Sequence, residues 1–255
     1  LFCPEDLALI KSGAAERRAF LDHAICQLRP RYGEALAQYH KLLDHKTRIL
    51  RDWEKNPSLL EVLEDFNEAM ARAGALLIHY RAHFVGKLAP RAAQIQRDFS
   101  GDREELTLSY QTVGTVRDPL GPTVSIYEDL RAHQDSHRRA ELEARSCLSG
   151  PHKDDLAAWI DGQPARQFAS QGQTRTAALS LKLAERELFE DDTGQWPVLL
   201  LDDVLSELDA RRQDFVLDRI TGGQVFITSC ETPAGEISRG KILHIHQGAL
   251  VDSPN

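Results

Sequence analysis

The stretch 197–203 (PVLLLDD) constrains the fold of this chain more than any other segment. An apolar run of this kind predicts a strand that is buried on both faces of a parallel sheet. The run ends in Asp202 and Asp203, at the edge where open α/β sheets bind their ligands. An isolated pattern of this type is more often a strand that simply leaves the core. Here the neighbouring segments 170–173 (SQGQ) and 204–209 (VLSELD) favour a ligand site instead.

Composition sets the size and charge of what the chain can form. Its 255 residues are 42% hydrophobic and 27% charged, which suffices for one large domain or two modest ones. The formal net charge is -8, but residues 11–100 carry about +4 and the remainder about -12. A mildly basic segment is compatible with nucleic-acid contact and equally with ordinary helix surfaces.

The four cysteines, Cys3, Cys26, Cys147 and Cys230, form no CxxC pair, so neither a zinc site nor a disulfide framework is indicated. Reduced thiols are typical of a cytosolic protein, and a cytoplasmic location is expected. The sequence shows neither a signal-peptide pattern nor an apolar run long enough for a membrane helix. Because the chain opens on Leu1 in mid-pattern, we interpret it as a fragment that lacks its N-terminal part.

Hydrophobic periodicity close to 3.6 residues predicts a helical N-terminal half. The predicted elements there are helices at 12–28, 31–54, 57–98 and 125–145 and a strand at 106–113. Ser12 and Asn56 are predicted to cap the first and third of these helices. Pro90 is predicted to kink or break the third.

From Cys147 onwards, short apolar segments alternate with helical ones. The predicted elements are a hairpin at 156–160 and 165–168, helices at 171–190 and 209–220, and strands at 197–202, 224–228, 241–246 and 249–251. This alternation predicts a parallel sheet, to which residues 1–10 could add an edge piece. The expected fold class is α/β, with 146–255 and 1–10 forming a head and 11–145 a mostly helical insertion.

The segment 170–173 stands at the start of a predicted amphipathic helix. Ser170 is predicted to cap that helix, and Gly172 would let the backbone approach a ligand closely. A helix N-terminus with a capping hydroxyl can bind an anion such as a phosphate. Taken alone, however, this segment is more often a plain helix cap.

The order of these motifs is similar to that of ABC-type ATPase heads, in which a signature motif, a Walker B strand and a D-loop follow one another. The longer strings resemble the RecF family of bacterial DNA replication and repair ATPases; they are 150–155 (GPHKDD), 170–175 (SQGQTR), 179–185 (LSLKLAE) and 199–209 (LLLDDVLSELD). The resemblance spans nearly the whole chain. It implies the C-terminal part of an ABC-type P-loop NTPase head with a large, mostly α-helical inserted lobe.

The resemblance also implies a role for individual residues. Asp202 is similar to the Walker B aspartate that orients Mg²⁺, a hard cation that prefers oxygen ligands. Asp203 stands where many ABC ATPases carry a glutamate that polarises the attacking water, and a shorter acid there would suit slow hydrolysis. The implied cofactors are ATP and Mg²⁺. The residues implied to contact ATP are Ser170, Gln171, Gly172 and Gln173 of the signature motif and Ser206 and Asp209 of the D-loop.

One motif of these ATPases does not occur in the chain. No GxxxxGK[S/T] sequence is found, although that loop supplies the N–H nest and the lysine for the β- and γ-phosphates. We therefore expect negligible ATP binding by this chain alone. Thr174 and Lys153 stand where the family usually has Gln and Arg, and Thr228 is followed by Ser229 and Cys230 where transporters carry a histidine.

The implied function is ATP-dependent dimerisation on gapped, single-stranded or double-stranded DNA, which supports recombinase loading with mediator partners of the RecO and RecR type. Three alternatives stay open: an ATPase-inactive DNA- or partner-binding module, a chromosome-structural head of the SMC or Rad50 type, and a transporter subunit. The second lacks long coiled-coil arms here, and the third lacks its histidine.

Two further predictions concern less specific features. The candidate DNA contacts are basic residues of the helical lobe, Arg17, Arg18, Arg29, Arg31, Lys41, Lys46, Arg48 and Arg51. The segment 150–155 could bind metal or DNA phosphate, the latter through Lys153, but more often such a Gly-Pro turn with aspartates simply leads back into a sheet.

Overall fold

The computed structural model describes residues 1–230 and 240–251. Residues 231–239 and 252–255 of the predicted head lie outside the described residues. The chain divides into two compact units, one spanning Glu5–Val198 and the other combining Leu1–Pro4 with the chain from Leu199 onwards. The predicted boundary at residue 145 differs from this division, because the helix that begins at Gln171 belongs to the larger unit.

The larger unit is mainly helical. Its elements are a 3₁₀ helix (Pro4–Ala8, of which Pro4 lies in the smaller unit), α1 (Ala14–Leu28), α2 (Pro30–Asp52), α3 (Leu59–Ser100), β1 (Leu106–Gln111), α4 (Thr123–Ala144), a 3₁₀ helix (Pro151–Lys153), β2 (Asp155–Ile160), β3 (Gln163–Pro164), α5 (Ala165–Phe168) and α6 (Gln171–Thr193).

Two predicted helix caps are wrong. The Ser12 hydroxyl donates to the Ala8 carbonyl at 2.9 Å, and Gly13 is the residue that precedes α1. Asn56 accepts a hydrogen bond from the Ser58 hydroxyl at 2.7 Å, so the turn at 56–58 precedes α3 instead of opening it. In both places the polar side chain satisfies a turn, which competes with capping.

Helix α3 is 42 residues long and continues through Pro90, so the predicted break does not occur. Proline at this position removes the hydrogen bond to the carbonyl four residues earlier, which belongs to Gly86. Both residues are exposed, and water can therefore satisfy that carbonyl. The helix ends where Gly101 takes a left-handed conformation (φ 66°).

The core of the larger unit forms around α3. Ala71, Ala75 and Ile78 on one face pack with Ile126 and Leu130 of α4. Near the start of α3, a second buried group consists of Leu63, Ile49 and Leu50 of α2, and Cys147. The apolar residues that recur with helical spacing in these helices are thus core positions. No described helix has the length and apolar character needed to cross a bilayer.

Strands β1, β2 and β3 form an antiparallel sheet in which Leu106 pairs with Ile160. The predicted hairpin exists, with Asp161 and Gly162 in left-handed conformations at its turn. Its second strand, however, contains only Gln163–Pro164. The segment predicted as a strand at 165–168 is instead the short helix α5, which leads into α6.

The smaller unit contains the strand with which the sequence analysis began. Its elements are β4 (Leu199–Asp202), a 3₁₀ helix (Leu205–Glu207), α7 (Ala210–Arg219), β5 (Val225–Thr228), β6 (His244–His246) and β7 (Ala249–Val251). Strands β4 and β5 are parallel, and β6 and β7 form an antiparallel pair.

Strand β4 is not buried on both faces within the described part of the chain. Leu201 is 2% exposed, whereas Leu200 is 41% exposed. The prediction therefore holds for one face only, since alternate residues of a strand point to opposite faces. Of the predicted edge piece at 1–10, Phe2 alone pairs with β4, through a parallel bridge to Leu201.

Candidate functional site

The residues predicted to form the site lie in both units, and each group has its own local geometry. The first group opens helix α6. The backbone N–H of Gln173 donates to the Ser170 Oγ at 3.2 Å, and the Ser170 N–H donates to the Gln173 Oε1 at 2.9 Å, which completes a capping box. Ser170 and Gln171 are exposed, so the positive end of the helix dipole faces solvent.

The turn that leads into α6 is held in place by a lysine that the sequence did not single out. Lys11 Nζ donates to the carbonyl oxygens of Ala169 at 2.8 Å and of Arg166 at 3.2 Å. Ala165, at the other end of this turn, is completely buried. The chain just before Ser170 is therefore fixed at both ends, which orients the capping hydroxyl.

The second group is the pair of acids that ends β4. Asp202 is in register with Thr228 at the end of β5, and the Thr228 hydroxyl donates to Asp202 Oδ1 at 2.6 Å. Thr228 also holds Asp203, whose N–H donates to the Thr228 carbonyl at 3.2 Å and lies 3.1 Å from its hydroxyl oxygen. Asp203 has φ 52°, a left-handed conformation that aspartate tolerates better than most residues.

The twin acids offer carboxylate oxygens of the kind that a hard cation binds. Asp203 Oδ1 is buried and has no hydrogen-bond donor among residues 1–230 and 240–251. A buried carboxylate oxygen without a partner is costly unless water or a cation satisfies it. Asp202 is exposed and uses one of its oxygens for Thr228. Carboxylate oxygens of this kind are the ligands that Mg²⁺ prefers.

The third group follows the acids and corresponds to the predicted D-loop. The Ser206 hydroxyl donates to the Asp203 carbonyl at 2.7 Å, which ties this turn to the acid pair. Asp209 caps α7 by accepting the Arg212 N–H at 3.0 Å, and its other oxygen forms an ion pair with the Arg212 guanidinium. Partial burial alone would raise the pKa of Asp209, but these contacts with Arg212 outweigh it and lower the pKa. Both oxygens of Asp209 therefore serve the turn itself.

The segment 150–155 forms contacts with the helices of the larger unit. Gly150 has φ 131°, and a Cβ atom there would lie 2.5 Å from the Tyr39 hydroxyl oxygen. Pro151 is buried and packs closely against Gly74 of α3, where any larger residue would press on it. The Tyr39 hydroxyl lies 2.8 Å from His152 Nδ1. These contacts make the first half of the segment a packing element.

Asp154 of this segment belongs to a network of buried charges. Arg81 is 2% exposed, and it donates to the Pro151 carbonyl at 2.7 Å and to both oxygens of Asp22 at 2.8 and 2.9 Å. Asp154 accepts a hydrogen bond from the Tyr110 hydroxyl and lies 3.9 Å from the Arg81 guanidinium. Asp154, which directly precedes β2, thus contacts both β1 and α3, which favours the structural interpretation of the segment.

Burial shifts the pKa values of two groups in the same segment, downwards for His152 and upwards for Asp154. Burial lowers the pKa of His152 to about 4, so its ring stays neutral. Burial raises the pKa of Asp154 to about 6, although the Tyr110 hydroxyl and Arg81 act in the other direction. In both cases the low polarity of the surroundings disfavours the charged form.

The structure removes two residues from the predicted DNA contacts. Arg17 is 4% exposed and forms a bidentate ion pair with Asp155 at 2.7 and 2.8 Å. Lys46 is 1% exposed and forms an ion pair with Glu141 at 2.6 Å. Neither cation can reach a phosphate without breaking a buried pair, which costs about 3–5 kcal/mol.

The remaining basic candidates differ in how far they are engaged. Arg18 is half-buried and donates to the Asp154 carbonyl at 2.7 Å. Arg29 forms a bidentate pair with Asp192. The exposed candidates all lie on α2; they are Arg31, Lys41, Arg48 and Arg51.

Comparison with known proteins shows the family to which this chain belongs. "DNA replication and repair protein RecF" of Desulforamulus reducens is 41% identical over 254 residues, which cover 98% of this chain and 68% of the relative. The protein of the same name from Clostridioides difficile is 36% identical over 259 residues, which cover 100% of this chain and 68% of that relative. The chain belongs to the RecF family.

Solved structures agree with the membership in the RecF family. A structure described as the recombination mediator protein RecF–ATPrS in the RecFOR pathway superposes with a TM-score of 0.87 and 34% identity, covering 98% of this chain and 66% of that one. A second, described as RecF–ATP, gives 0.83 and 36% over 92% and 62% of the two chains. No model of a known protein family matches. The chain spans about two thirds of the length of its curated RecF relatives.

Sequence reasoning missed three residues of this RecF-type arrangement. Thr228 bridges the two acids, Lys11 fixes the turn before Ser170, and Gln213 donates to the carbonyl oxygens of Leu205 and Leu208 at 2.8 and 3.1 Å. A hydroxyl at the carboxyl end of the strand after the twin acids was a usable signal for Thr228. Lys11 and Gln213 gave no signal, since each acts on backbone oxygens.

Proposed function

We propose that this chain carries the signature-motif and Walker B half of an ATP-dependent DNA repair ATPase of the RecF type. In this proposal, Ser170 and the first turn of α6 bind the γ-phosphate of ATP held by a second copy of the protein. The relatives with known structure are described as ATP-bound RecF proteins. Mg²⁺ would be held by Asp202, where it would neutralise charge on the phosphates.

The observation that carries the proposal is the completed capping box. Because Ser170 Oγ accepts the Gln173 N–H, the hydroxyl hydrogen can still be donated outward. The exposed end of α6 then offers a hydroxyl donor and a positive helix dipole to an anion. A plain structural cap would need neither exposure nor a rigid preceding turn, yet both are present.

Asp203 is proposed to orient the attacking water. Its carboxylate has one buried oxygen without a donor, and its backbone is fixed by Thr228. General-base catalysis contributes about 10²–10⁴-fold to a reaction rate. Because aspartate is shorter than the glutamate found at this position in many ABC ATPases, its contribution would be at the lower end, which fits slow hydrolysis. ATP binding would then act mainly to close a dimer on gapped, single-stranded or double-stranded DNA, in cooperation with RecO- and RecR-type partners during recombinase loading.

Hydrolysis and dimerisation test the two halves of the proposal separately. The protein is prepared as the 255-residue chain and in a version extended to the full length of its RecF relatives. In the extended protein, Asp203→Asn should lower the ATP hydrolysis rate by about 100-fold or more without weakening ATP-dependent dimers. The matched control Asp214→Asn, on an exposed position of α7, should retain the full rate.

Dimerisation is measured by sedimentation with and without ATP. Ser170→Arg should abolish ATP-dependent dimers while nucleotide binding persists, because the bulky cation blocks the approach of a second molecule. Ser58→Arg, an exposed serine at the start of α3, is the matched control and should dimerise normally. If Ser170→Arg dimerises like the control, α6 does not face the partner's phosphate and the proposal is wrong.

A further inference from the structure

A cavity between α1, α3 and α6 shares only Arg29 with the residues considered above for ATP or DNA. It is partly open to solvent and has a volume of about 240 Å³. Its floor is apolar and consists of the buried side chains of Ile25, Phe84 and Leu188, with Leu28 and Tyr80 beside them. A cavity of about 150 Å³ can hold a benzene ring, so this one has room for a single large apolar side chain.

The rim of the cavity is charged and carries one cation in excess. Arg29, which directly follows α1, pairs with Asp192 at 2.5 and 2.6 Å, and Arg91 of α3 pairs with Asp191. Both aspartates belong to α6, and each is already paired with an arginine from outside that helix. Lys87 lies on the same rim, is exposed, and has no ion pair within the part of the chain that the structure describes.

The two ion pairs lie at the rim of the cavity. They join α6 to Arg29, directly after α1, and to α3 at the surface, above the apolar floor. The Arg29 guanidinium lowers the pKa of the Asp192 carboxyl, and the charge of Lys87 acts on it in the same direction. The result is a preformed concave site with an apolar interior and a few polar groups at its edge, the usual composition of a binding pocket.

We propose that this cavity binds a segment of a partner protein in which a large apolar side chain stands next to a carboxylate. The apolar side chain would enter between Ile25, Phe84 and Leu188, where burial of apolar area supplies the free energy of binding. The carboxylate would reach Lys87, the one rim cation of the described residues without an ion pair. An apolar anchor in a pocket with charges at the rim is the common pattern of peptide recognition.

The proposal is tested with fluorescein-labelled peptides in an anisotropy titration of the intact chain. The probe contains the sequence Asp-Phe-Asp, and the two comparison probes contain Lys-Phe-Lys and Asp-Ala-Asp. The Asp-Phe-Asp probe should saturate below about 1 mM, and both comparison probes should bind at least tenfold more weakly. Equal binding of the Lys-Phe-Lys probe, or no saturation by the first probe, would overturn the proposal.

Two variants locate the binding. His83→Trp places bulk at the exposed rim and should reduce affinity by about tenfold or more, while Lys87→Glu should reduce it by about fivefold or more. The control Lys55→Glu makes the same charge change at an exposed position away from the cavity lining and should bind as the parent chain does. Thermal unfolding of each variant separates loss of the site from loss of the fold.

The size of the ligand is tested by competition. Phenylacetate carries the same apolar ring and carboxylate but no peptide backbone. It should displace the Asp-Phe-Asp probe only at concentrations well above those of the unlabelled peptide. Displacement by phenylacetate at equal concentration would show a small-molecule site and would refute the partner-segment assignment, and unchanged affinity in both rim variants would place the probe elsewhere.

Discussion

The opposed titrations of His152 and Asp154 make a quantitative prediction about stability. Burial holds the pKa of His152 at about 4 instead of 6.5. The contribution of this residue to the free energy of unfolding is therefore present above pH 6.5 and is lost as the pH falls through 4. Burial holds the pKa of Asp154 at about 6 instead of 3.8, so its contribution is present below pH 3.8 and is lost as the pH rises through 6. The two windows almost coincide.

The magnitudes follow from the two shifts. At 1.36 kcal/mol per pKa unit, each group changes the free energy of unfolding by about 3 kcal/mol across its window. Because the signs are opposite, the two contributions largely cancel in the parent chain between about pH 4 and 7. Replacing one group should therefore expose the titration of the other.

The perturbations are Asp154→Asn and His152→Gln. Relative to the parent chain, Asp154→Asn should lose about 3 kcal/mol of unfolding free energy between pH 7 and 4, since only the histidine contribution then changes. His152→Gln should gain about the same amount over that range. An asparagine can still accept the hydrogen bond from the Tyr110 hydroxyl, which keeps the network close to its original shape.

Urea unfolding at a series of pH values, followed by tryptophan fluorescence, measures these changes. The chain has three tryptophans, Trp53, Trp159 and Trp196, and all of them lie in the larger unit, where both titrating groups are found. Differences between variant and parent chain remove the titrations that all three proteins share. Parallel stability curves for Asp154→Asn and the parent would refute the reasoning, because Asp154 would then titrate like an exposed carboxyl.

Three further predictions concern residues whose roles the structure changed or specified. Lys46→Met should lower the free energy of unfolding by about 3–5 kcal/mol in a denaturant titration, because it leaves the buried Glu141 carboxylate unpaired. Arg48→Ala should change that free energy by less than about 0.5 kcal/mol but weaken salt-dependent DNA binding. Gly150→Ala should lower the melting temperature, because alanine disfavours the positive φ at this position and its Cβ would clash with the Tyr39 hydroxyl. Gly86→Ala, on the open surface of α3, should instead raise the free energy of unfolding by about 0.5–1 kcal/mol. Ser170→Ala should cost about 1 kcal/mol in denaturant unfolding by removing the cap; no cost would mean that the capping box contributes nothing to the helix.

The features that the sequence predicted well are those set by neighbouring residues. The capping box of α6 depends on residues three apart, Ser170 and Gln173, and both the start of the helix and its cap were predicted. The same is true of β4, whose apolar run and terminal acids are contiguous. The failures at Ser12 and Asn56 were also local, since a polar side chain can satisfy either a turn or a helix, and propensity does not decide between them.

Long-range pairing explains why the basic candidates were only partly identified. Arg17 meets Asp155, 138 residues later, and Lys46 meets Glu141, so neither burial nor partner was visible in the local pattern. On α2, the exposed Arg48 lies two residues after the buried Lys46. Residues two apart point to nearly opposite sides of a helix, so one faces the core and the other faces solvent. Charge alone made the two equivalent, whereas burial makes one a structural cation and leaves the other available to a phosphate.

The same argument applies to the segment 150–155, whose resemblance to the family gave no role to single residues. Its polar groups meet partners on other elements: Tyr39 for His152, Arg81 for the Pro151 carbonyl, Tyr110 for Asp154 and Arg17 for Asp155. Such a segment can be shared by relatives because it holds helices together, without touching a substrate. A family motif therefore identifies the fold with more certainty than it identifies the residues that meet a ligand, and burial is the property that separates the two.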